Sequence, residues 1–174
     1  MSLLKSIHQY DTRIFLWVAD RRTRLRLVQS ARWISKSADG APYLILMIYL
    51  ALHGSETNLD LLGALLLGFF MERPLYAALK NLFRRNRPSV ALELPGYITP
   101  GDRFSFPSGH TSAAFLVTTL AGCFHPWLAL PLLIWASLVG MARVILGVHF
   151  PSDIVIGALM GAGLAQSSME ILLK

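Results

Sequence analysis

Three short polar stretches interrupt the apolar runs of this chain, and their side chains suit the binding and transfer of phosphate. Lysine and arginine neutralise phosphate oxygens, and arginine does so through two parallel hydrogen bonds. A serine hydroxyl and a glycine N–H can add further donors to such a preorganised anion site. The candidate phosphate-binding residues are Lys80 and Arg87 in the first stretch, Ser108 and Gly109 in the second, and Arg143 in the third.

Two histidines lie among these donors and can supply the chemistry of a covalent route. A neutral imidazole can attack phosphorus when its other ring nitrogen is held by a carboxylate, and His149 with Asp153 is such a pair. His110 can then protonate the leaving alkoxide and later activate water. The stretches offer no carboxylate cluster for magnesium, and two histidines alone are a poor zinc site. We therefore expect catalysis without a metal or another cofactor.

The stretch Pro107-Ser108-Gly109-His110 opens a long apolar run, which favours the first turn of a helix. Backbone N–H groups in that turn have no partner within the helix, and they point the same way as the positive end of the helix dipole. Such a turn can bind an anion. The alternative is an ordinary helix cap beside a hydrogen-bonded histidine, and the two other polar stretches favour the anion site.

The bulk composition predicts a multi-pass membrane protein. Hydrophobic residues make up 54% of the 174 residues, charged residues make up only 15%, and the mean hydropathy is +0.51. The net charge is nevertheless +6, which fits anionic lipid head groups or a phosphate substrate better than duplex DNA. The chain has no recognisable nucleic-acid module, and its one cysteine permits no intrachain disulfide.

We predict an all-α fold in which residues 40–174 form a transmembrane helical bundle of five to six spans. The apolar segments that define these spans are residues 41–53, 59–83, 111–124, 127–146 and 154–173. If the chain crosses the membrane once with each span, the end of the second span, the start of the third and the end of the fourth lie at the same membrane face. The three polar stretches are therefore expected to meet at that face.

Residues 1–39 form a basic, amphipathic segment before the bundle. Apolar residues recur three and four apart, with arginines on the other faces, which indicates one or two helices broken near Asp20-Arg21. Helices of this kind lie in the membrane interface. The alternative is a solvated helix pair that packs on the domain.

Proline and charge patterns add detail to the second span and the loop after it. Glu72-Arg73-Pro74 lies at depth in the second span, where charges are costly, and we assign it a structural role. Pro88 permits that helix to reach about Arg87, and Lys80 and Arg87 share a face if the helix continues that far. Residues 89–105, with turn signals at Pro95-Gly96 and Pro100-Gly101, are predicted to form an ordered loop that covers a site.

These polar stretches together resemble the type 2 phosphatidic acid phosphatase superfamily, which also contains glucose-6-phosphatase and vanadium haloperoxidases. The family pattern is K-x6-R-P, then P-S-G-H, then S-R-x5-H-x3-D. This chain reads Lys80…Arg87-Pro88, then Pro107-Ser108-Gly109-His110, then Ala142-Arg143…His149…Asp153. The resemblance covers roughly residues 60–170, with the motifs in the family's order and spacing.

The resemblance implies a phosphohistidine intermediate on His149, oriented by Asp153, with His110 as the acid and base. It also implies that the five candidate phosphate-binding residues named above hold the substrate. The chain departs from the family at Ala142, where a serine is usual. The missing hydroxyl removes one hydrogen bond at most, and we do not expect it to abolish activity.

The predicted function is that of an integral membrane hydrolase, a lipid phosphatase that acts on a phosphomonoester or a diphosphate. Similar bacterial proteins act on phosphatidate, phosphatidylglycerol phosphate, undecaprenyl diphosphate or lipid A phosphates, and the sequence does not choose among them. The implied partners are a membrane lipid substrate and the lipid bilayer, with no nucleic acid. The sequence leaves the oligomeric state open.

The resemblance places the protein in a bacterial inner membrane, with its site on the periplasmic side. The positive-inside rule instead puts the basic segment, and the site with it, on the cytoplasmic side. We predict the periplasmic side, because interfacial helices need not obey that rule.

Two other functions stay open. One is a vanadate-dependent oxidase, which the membrane composition opposes. The other is a non-catalytic binder of phospholipid head groups, which the presence of His149 and Asp153 opposes.

Overall fold

The computed structural model describes residues 3–21, 25–94 and 96–174, with side chains from Ser6 onward. Within these ranges the chain forms helices and loops, and its one bridge of β type joins Asn86 to Phe104. The helices are α1 (Leu3–Asp20), α2 (Leu25–Lys36), α3 (Gly40–Leu52), α4 (Glu56–Phe83), α5 (Pro88–Ala91), α6 (Gly109–Phe124), a 3-10 turn (Pro126–Leu128), α7 (Ala129–Ile145) and α8 (Pro151–Leu172). The predicted all-α fold is confirmed.

Three helices are long and apolar enough to cross a membrane, by length and composition, in the part of the chain that the structure describes. They are Glu56–Phe83, Pro126–Ile145 and Pro151–Leu172. The predicted five to six spans are not confirmed, because α3 has 13 residues and α6 has 16, fewer than the ~20 that a helix needs to cross a bilayer. The outward faces of the long helices carry exposed apolar side chains such as Phe70, Leu130 and Leu159.

Helix α6 lies at the centre of the bundle and packs against α4, α7 and α8. Its buried residues include Thr111, Ala114, Leu116 and Leu120, none of which is measurably exposed. Its first turn carries the Ser108-Gly109-His110 stretch, so the position of α6 sets the position of that stretch.

The packing of α6 against α8 depends on the GxxxG pair, Gly157 and Gly161. A Cβ atom on Gly161 would lie 2.1 Å from the backbone oxygen of Ser112, and one on Gly157 would lie 2.7 Å from the backbone oxygen of Ser108. Both distances are too short for any side chain, so the two backbones meet because these positions are glycine. This motif, which also favours dimers in membrane helices, is used here within the chain.

Helix α4 ends earlier than the sequence predicted. Arg84 has a φ of 45° and caps the helix in the left-handed conformation, and Arg87 lies four residues beyond the last helical residue, Phe83. The prediction that the helix reaches about Arg87 is therefore wrong, and Arg87 instead precedes α5. Deeper in α4, Glu72 is fully buried and pairs with the adjacent Arg73.

Helices α1 and α2 lie at the end of the bundle where the polar stretches meet. Phe15 of α1 is buried against Phe150, with ring centroids 5.7 Å apart, and Val28 and Ala31 of α2 join a cluster with Leu146. The predicted break after Asp20 is present, since α1 ends there. Arg22 and Arg24 of this basic segment, and the turn predicted at Pro95, lie outside the described residues.

Apolar residues on the outer faces of α1 and α2 remain exposed. They include Ile14 and Trp17 on α1 and Leu25 and Trp33 on α2. Placement of this segment in the membrane interface stays a prediction. The contacts of α1 and α2 with the bundle agree with the alternative, a helix pair that packs on the domain.

The glycine packing leads to a prediction about stability. Gly161→Ala forces α8 away from Ser112 and should destabilise the fold by roughly 1–3 kcal/mol, the usual effect of overpacking. Gly163→Ala is the matched control, because nothing lies within 4 Å of its Cβ position, and its better helix propensity should give about 0.5–1 kcal/mol of added stability. Thermal unfolding in detergent, followed by circular dichroism, compares the two. Equal midpoints would contradict a packing role for Gly161.

Candidate active site

Lys80 and Arg87 converge on one carboxylate, that of Asp102. Lys80 is in the last turn of α4, and its Nζ donates to Asp102 Oδ2 at 2.6 Å. The Nη2 atom of Arg87 pairs with Asp102 Oδ1, and its Nη1 donates to the backbone oxygen of Val148 at 2.7 Å. Both cations are buried, with exposed fractions of 6% for Lys80 and 3% for Arg87. The two cations thus meet at a common anion position without sharing a helix face.

Asp102 belongs to the loop that the sequence predicted would cover a site, but it was not a predicted site residue. It also accepts a hydrogen bond from the Tyr76 hydroxyl at 2.6 Å. Burial by itself would raise the pKa of Asp102, but hydrogen bonds from Lys80 and Tyr76, together with the charge of Lys80, outweigh that effect and hold the pKa at about 2. Asp102 is therefore a carboxylate anion bound where two candidate phosphate-binding cations point.

Arg143 reaches the same region from the last turn of α7. Its exposed fraction is 5%, and its Nη1 donates to the hydroxyl of Ser35 at 2.8 Å. Its Nε has no hydrogen-bond partner among the described residues. A buried guanidinium with an unused donor is suited to an incoming anion, because an unmade hydrogen bond of a buried charged group is costly.

His149 and Asp153 are both buried where α7 gives way to α8. The Nδ1 atom of His149 lies 3.6 Å from Asp153 Oδ2, which is an ion-pair distance and longer than a hydrogen bond. The same carboxylate is held by Phe150 N, which donates to Oδ2 at 2.8 Å, and by Arg85, whose Nη1 donates to Oδ1 at 2.7 Å. Asp153 thus faces the ring nitrogen of His149 from a fixed position.

Burial controls the protonation of His149. Loss of solvent lowers its pKa to about 4, and the positive charges of Arg143 and Arg87 act in the same direction, while Asp153 opposes them only in part. The imidazole is therefore neutral near pH 7, with Nδ1 toward Asp153 and Nε2 left for another partner. A neutral ring is the form that can attack phosphorus.

The Ser108-Gly109-His110 stretch contributes differently along its length. The Ser108 hydroxyl caps α6, accepting from Thr111 N at 3.4 Å and lying 2.9 Å from Thr111 Oγ1. It is fully buried in that cap. His110 faces the other way, and its Nε2 lies 2.8 Å from Asp39 Oδ1. The alternative to an anion site is an ordinary helix cap beside a hydrogen-bonded histidine. Both of those features are present at this stretch.

Five of the eight predicted site residues line one cavity of about 600 Å³. Its polar end is lined by Asp39, Arg87, Asp102, Gly109, His110, Arg143 and His149, and its other walls include Tyr43, Met47, Phe69, Arg73 and Ala113. The other three predicted site residues, Lys80, Ser108 and Asp153, are not in this lining. Lys80 contacts the lining residue Asp102 and Asp153 faces the lining residue His149, whereas the Ser108 hydroxyl is used in the helix cap.

Sequence reasoning missed several polar groups that support the site. Those with direct hydrogen bonds to predicted site residues are Asp102, Tyr76, Arg85, Asp39 and Ser35. Asp102 had a usable signal, because it is an acid in a loop predicted to cover a cationic site. Ser35 and Asp39 had none, since nothing in their local pattern separates them from other polar residues of an amphipathic segment.

No group of three or more His, Cys, Asp or Glu side chains that could hold a metal ion is found among the described residues. Independence from metal stays a prediction, and the effect of a chelator on activity tests it directly.

The chain belongs to the PAP2 superfamily, whose family model matches residues 58–174. It is 33% identical over 99 residues to a decaprenylphosphoryl-5-phosphoribose phosphatase of Mycobacterium tuberculosis, a match that covers 55% of this chain and 52% of that protein. The chain thus spans about half the length of that relative. The resemblance to the phosphatidic acid phosphatases, which rested on three motifs, is confirmed.

Two solved structures share the fold. Aquifex aeolicus LpxE superposes with a TM-score of 0.79 at 29% sequence identity, over 91% of this chain and 93% of that one. A transmembrane PAP2-type phosphatidylglycerolphosphate phosphatase from Bacillus subtilis gives a TM-score of 0.79 at 23% identity, over 95% of this chain and 86% of that one. The second likeness concerns the fold alone.

The position of Asp102 predicts how the site responds to a free anion. Asp102→Asn removes the internal anion from Lys80 and Arg87, so inorganic phosphate should bind roughly tenfold more tightly, the effect of one charge-assisted hydrogen bond set free. Isothermal titration calorimetry measures this affinity. Asp60→Asn, an exposed carboxylate in α4, is the matched control. Weaker phosphate binding in Asp102→Asn would mean that Asp102 holds Lys80 and Arg87 in place and does not compete with phosphate for them.

The lowered pKa of His149 predicts a titration well below that of an ordinary histidine. On acidification from pH 7, the ring should stay neutral until about pH 4. Between pH 6.5 and 4 the unfolded chain binds a proton at this residue that the folded chain does not, so this residue makes the fold less stable as pH falls through that window. Nitrogen-15 NMR of labelled imidazoles, assigned with His149→Gln, measures the ring directly. A midpoint near 6.5 would contradict the proposed burial effect.

Proposed function

We propose that this protein is a metal-independent lipid phosphatase of the membrane, which hydrolyses a phosphomonoester or a diphosphate on a lipid. One observation carries the proposal: Arg87, Arg143, His110 and His149 line the polar end of a single cavity. Lys80 adds a third cation through Asp102. Cations that converge beside two imidazoles at the end of apolar helices suit phosphoryl transfer, because the transferred group carries charge on several oxygens.

In the proposed reaction, the substrate phosphate takes the position that the Asp102 carboxylate holds beside Lys80 and Arg87. Nε2 of neutral His149 attacks phosphorus, a P–N bond forms, and the P–O bond to the lipid breaks. The leaving oxygen takes a proton from His110, whose protonated form is stabilised by the Asp39 carboxylate 2.8 Å from its Nε2. Asp153, 3.6 Å from Nδ1, stabilises the positive charge that the ring of His149 acquires.

The second half of the reaction returns the site to its starting state. His110, now neutral, removes a proton from a water molecule while that water attacks the phosphohistidine. The P–N bond breaks, inorganic phosphate leaves, and His149 is again a neutral imidazole beside Asp153. The guanidinium groups of Arg87 and Arg143 neutralise the phosphate oxygens throughout, which is the role that a metal ion fills in other phosphatases.

The walls of the cavity support a lipid as the substrate. Beyond the polar end the lining includes the apolar side chains of Tyr43, Met47, Phe69 and Ala113 from α3, α4 and α6, with Arg73 among them. An apolar chain attached to a phosphate fits this lining, whereas a free sugar phosphate would leave it unused. The candidates remain phosphatidate, phosphatidylglycerol phosphate, undecaprenyl diphosphate and lipid A phosphates, and the M. tuberculosis relative carries the name of a phosphatase for a polyprenyl-linked sugar phosphate.

We place the protein in a bacterial inner membrane with the site on the periplasmic side. Three helices long and apolar enough to span a membrane, and relatives from bacteria, support a bacterial membrane location. The choice of side rests on the family resemblance set against the positive-inside rule, since α1 and α2 lie at the same end of the bundle as the site.

Replacement of His149 tests the mechanism. His149→Ala removes the attacking nitrogen, so phosphate release from every lipid phosphate should fall by at least about 10³-fold, as when other covalent nucleophiles are removed. The measurement is phosphate release in detergent micelles from a panel of the four lipid candidates. His125→Ala, at the opposite end of α6, is the control and should keep its activity.

The same assay separates the parts of this proposal. EDTA should leave the wild-type rate unchanged, and loss of activity in EDTA would overturn metal independence. An acid-labile label on the protein from a phosphorus-32 substrate, absent in His149→Ala, is expected from the phosphohistidine. Wild-type protein that binds these lipids but releases no phosphate from any of them would favour the non-catalytic alternative.

A further inference from the structure

The family match begins at residue 58, yet polar side chains before that residue contact the candidate site at three separate places. We propose that helices α1 and α2, together with Asp39 just before α3, are a functional part of the active site. Asp11 is a positioning residue for the nucleophile pair of His149 and Asp153. Ser35 positions the phosphate-binding Arg143, and Asp39 positions the second histidine, His110. This inference rests on the proposed phosphatase function.

Asp11 acts on the nucleophile pair through Arg85. One oxygen of the Asp11 carboxylate accepts from Arg85 Nη2 at 2.6 Å, and the other accepts from Ser152 N at 2.9 Å. Arg85 Nη1 in turn donates to Asp153 Oδ1 at 2.7 Å. The guanidinium therefore lies between two carboxylates, one from α1 and one from α8. The other oxygen of Asp153, Oδ2, accepts from Phe150 N and faces the ring of His149.

Asp11 is buried, with an exposed fraction of 4%. A carboxylate is costly to bury unless it is paired, and a helix that only lies on a membrane surface has no need of one facing the domain. Arg85 also stacks on Phe150, with its Cζ 4.2 Å from the ring centroid, and Phe15 of α1 packs against the same ring. The polar and apolar contacts of α1 thus both meet at the residues that flank His149.

Ser35 and Asp39 contact two other predicted site residues, Arg143 and His110, which both line the cavity. The Ser35 hydroxyl, buried near the end of α2, accepts from Arg143 Nη1 at 2.8 Å and so fixes one branch of that guanidinium. Asp39, just before α3, lies 2.8 Å from Nε2 of His110. Each contact restricts the orientation of a different predicted site residue. Asp39 lines the cavity itself, whereas Asp11 and Ser35 reach the site through Arg85 and Arg143.

Each contact has its own kinetic signature. Loss of Asp11 should lower kcat with little change in KM, because Asp153 acts on the step in which His149 gains charge. Loss of Ser35 should raise KM and weaken binding of inorganic phosphate, because Arg143 holds the phosphate in both ground and transition states. Loss of Asp39 should slow only those substrates whose leaving group needs a proton from His110.

The first experiment tests the coupling of Asp11 to Arg85. Asp11→Asn and Arg85→Gln should each lower kcat by about 10- to 100-fold, and the double variant should fall no further than the worse single one, because both act through Asp153. Asp20→Asn, an exposed carboxylate on the same helix, is the matched control. Independent, multiplying effects, or an Asp11→Asn enzyme as fast as the control, would overturn the Asp11 assignment.

The second experiment compares Ser35→Ala with Ser30→Ala, an exposed serine on the same helix. Ser35→Ala should raise KM and the Kd for inorganic phosphate about tenfold, the effect of one hydrogen bond to a charged group, while Ser30→Ala changes neither. The phosphate titration does not depend on turnover. Should the wild-type protein release no phosphate from any lipid, the proposed function fails, whereas unchanged phosphate binding in Ser35→Ala defeats this inference.

The third experiment uses the leaving group to test Asp39. Asp39→Asn should lose at least about tenfold in kcat/KM on a lipid phosphate, whose alkoxide needs a proton, and less than about threefold on a nitrophenyl phosphate, whose leaving group does not. Asp60→Asn is the matched control. Equal losses on both substrates would show that Asp39 is only structural. Melting temperatures of all variants in detergent separate slow catalysis from poor folding.

Discussion

Charge buried at the ends of apolar helices is the constraint on which this molecule depends. A cation removed from water needs a nearby anion or several acceptors, because the low dielectric of its surroundings leaves the charge poorly stabilised otherwise. Lys80 and Arg87 meet this need through Asp102, and Arg85 meets it through Asp11 and Asp153. Arg143 meets it only in part, since one of its donors has no partner among the described residues. The unused donor of this guanidinium suits it to contact the substrate anion in the proposed site.

The bundle supplies the geometry for this charge arrangement through very close helix contacts. Glycine at positions 157 and 161 lets α8 approach the backbone of α6, and Ser108 N donates to the backbone oxygen of Asp153 at 3.1 Å. The start of α6 and the start of α8 are therefore fixed to each other. His110 lies at the start of α6, and His149 lies just before the start of α8. The close packing of the two helices at Gly157 and Gly161 therefore fixes where one histidine lies relative to the other.

The N-terminal helices have two faces with different roles. The outer face of α1 and α2 exposes tryptophan and aliphatic side chains, which suits contact with lipid. The inner face carries Asp11 and Ser35, both buried, together with the aromatic contact of Phe15. A segment with these two faces can contact lipid on one side and position the residues of the proposed site on the other. That combination explains how a region outside the family match can still belong to the proposed mechanism.

The sequence by itself determined the fold class and the set of residues brought to one end of the bundle. Apolar runs define the helices, and the order of crossings decides which helix ends share a face. The chain alone therefore predicted that Arg87, His110, Arg143 and His149 lie together, and all four line one cavity. The same reasoning overestimated the length of α4, because the left-handed conformation of Arg84 is not encoded by glycine or proline at that position.

Only the tertiary structure decided which counter-charges accompany those residues. Asp11 lies 74 positions from Arg85, and Ser35 lies 108 positions from Arg143. Partners so far apart leave no local periodicity in the sequence, since their meeting depends on how α1 and α2 pack against the bundle. The capping use of the Ser108 hydroxyl likewise follows from the path of the backbone into α6. Local spacing is readable from the chain, whereas the pairing of distant buried charges is a property of the packed molecule.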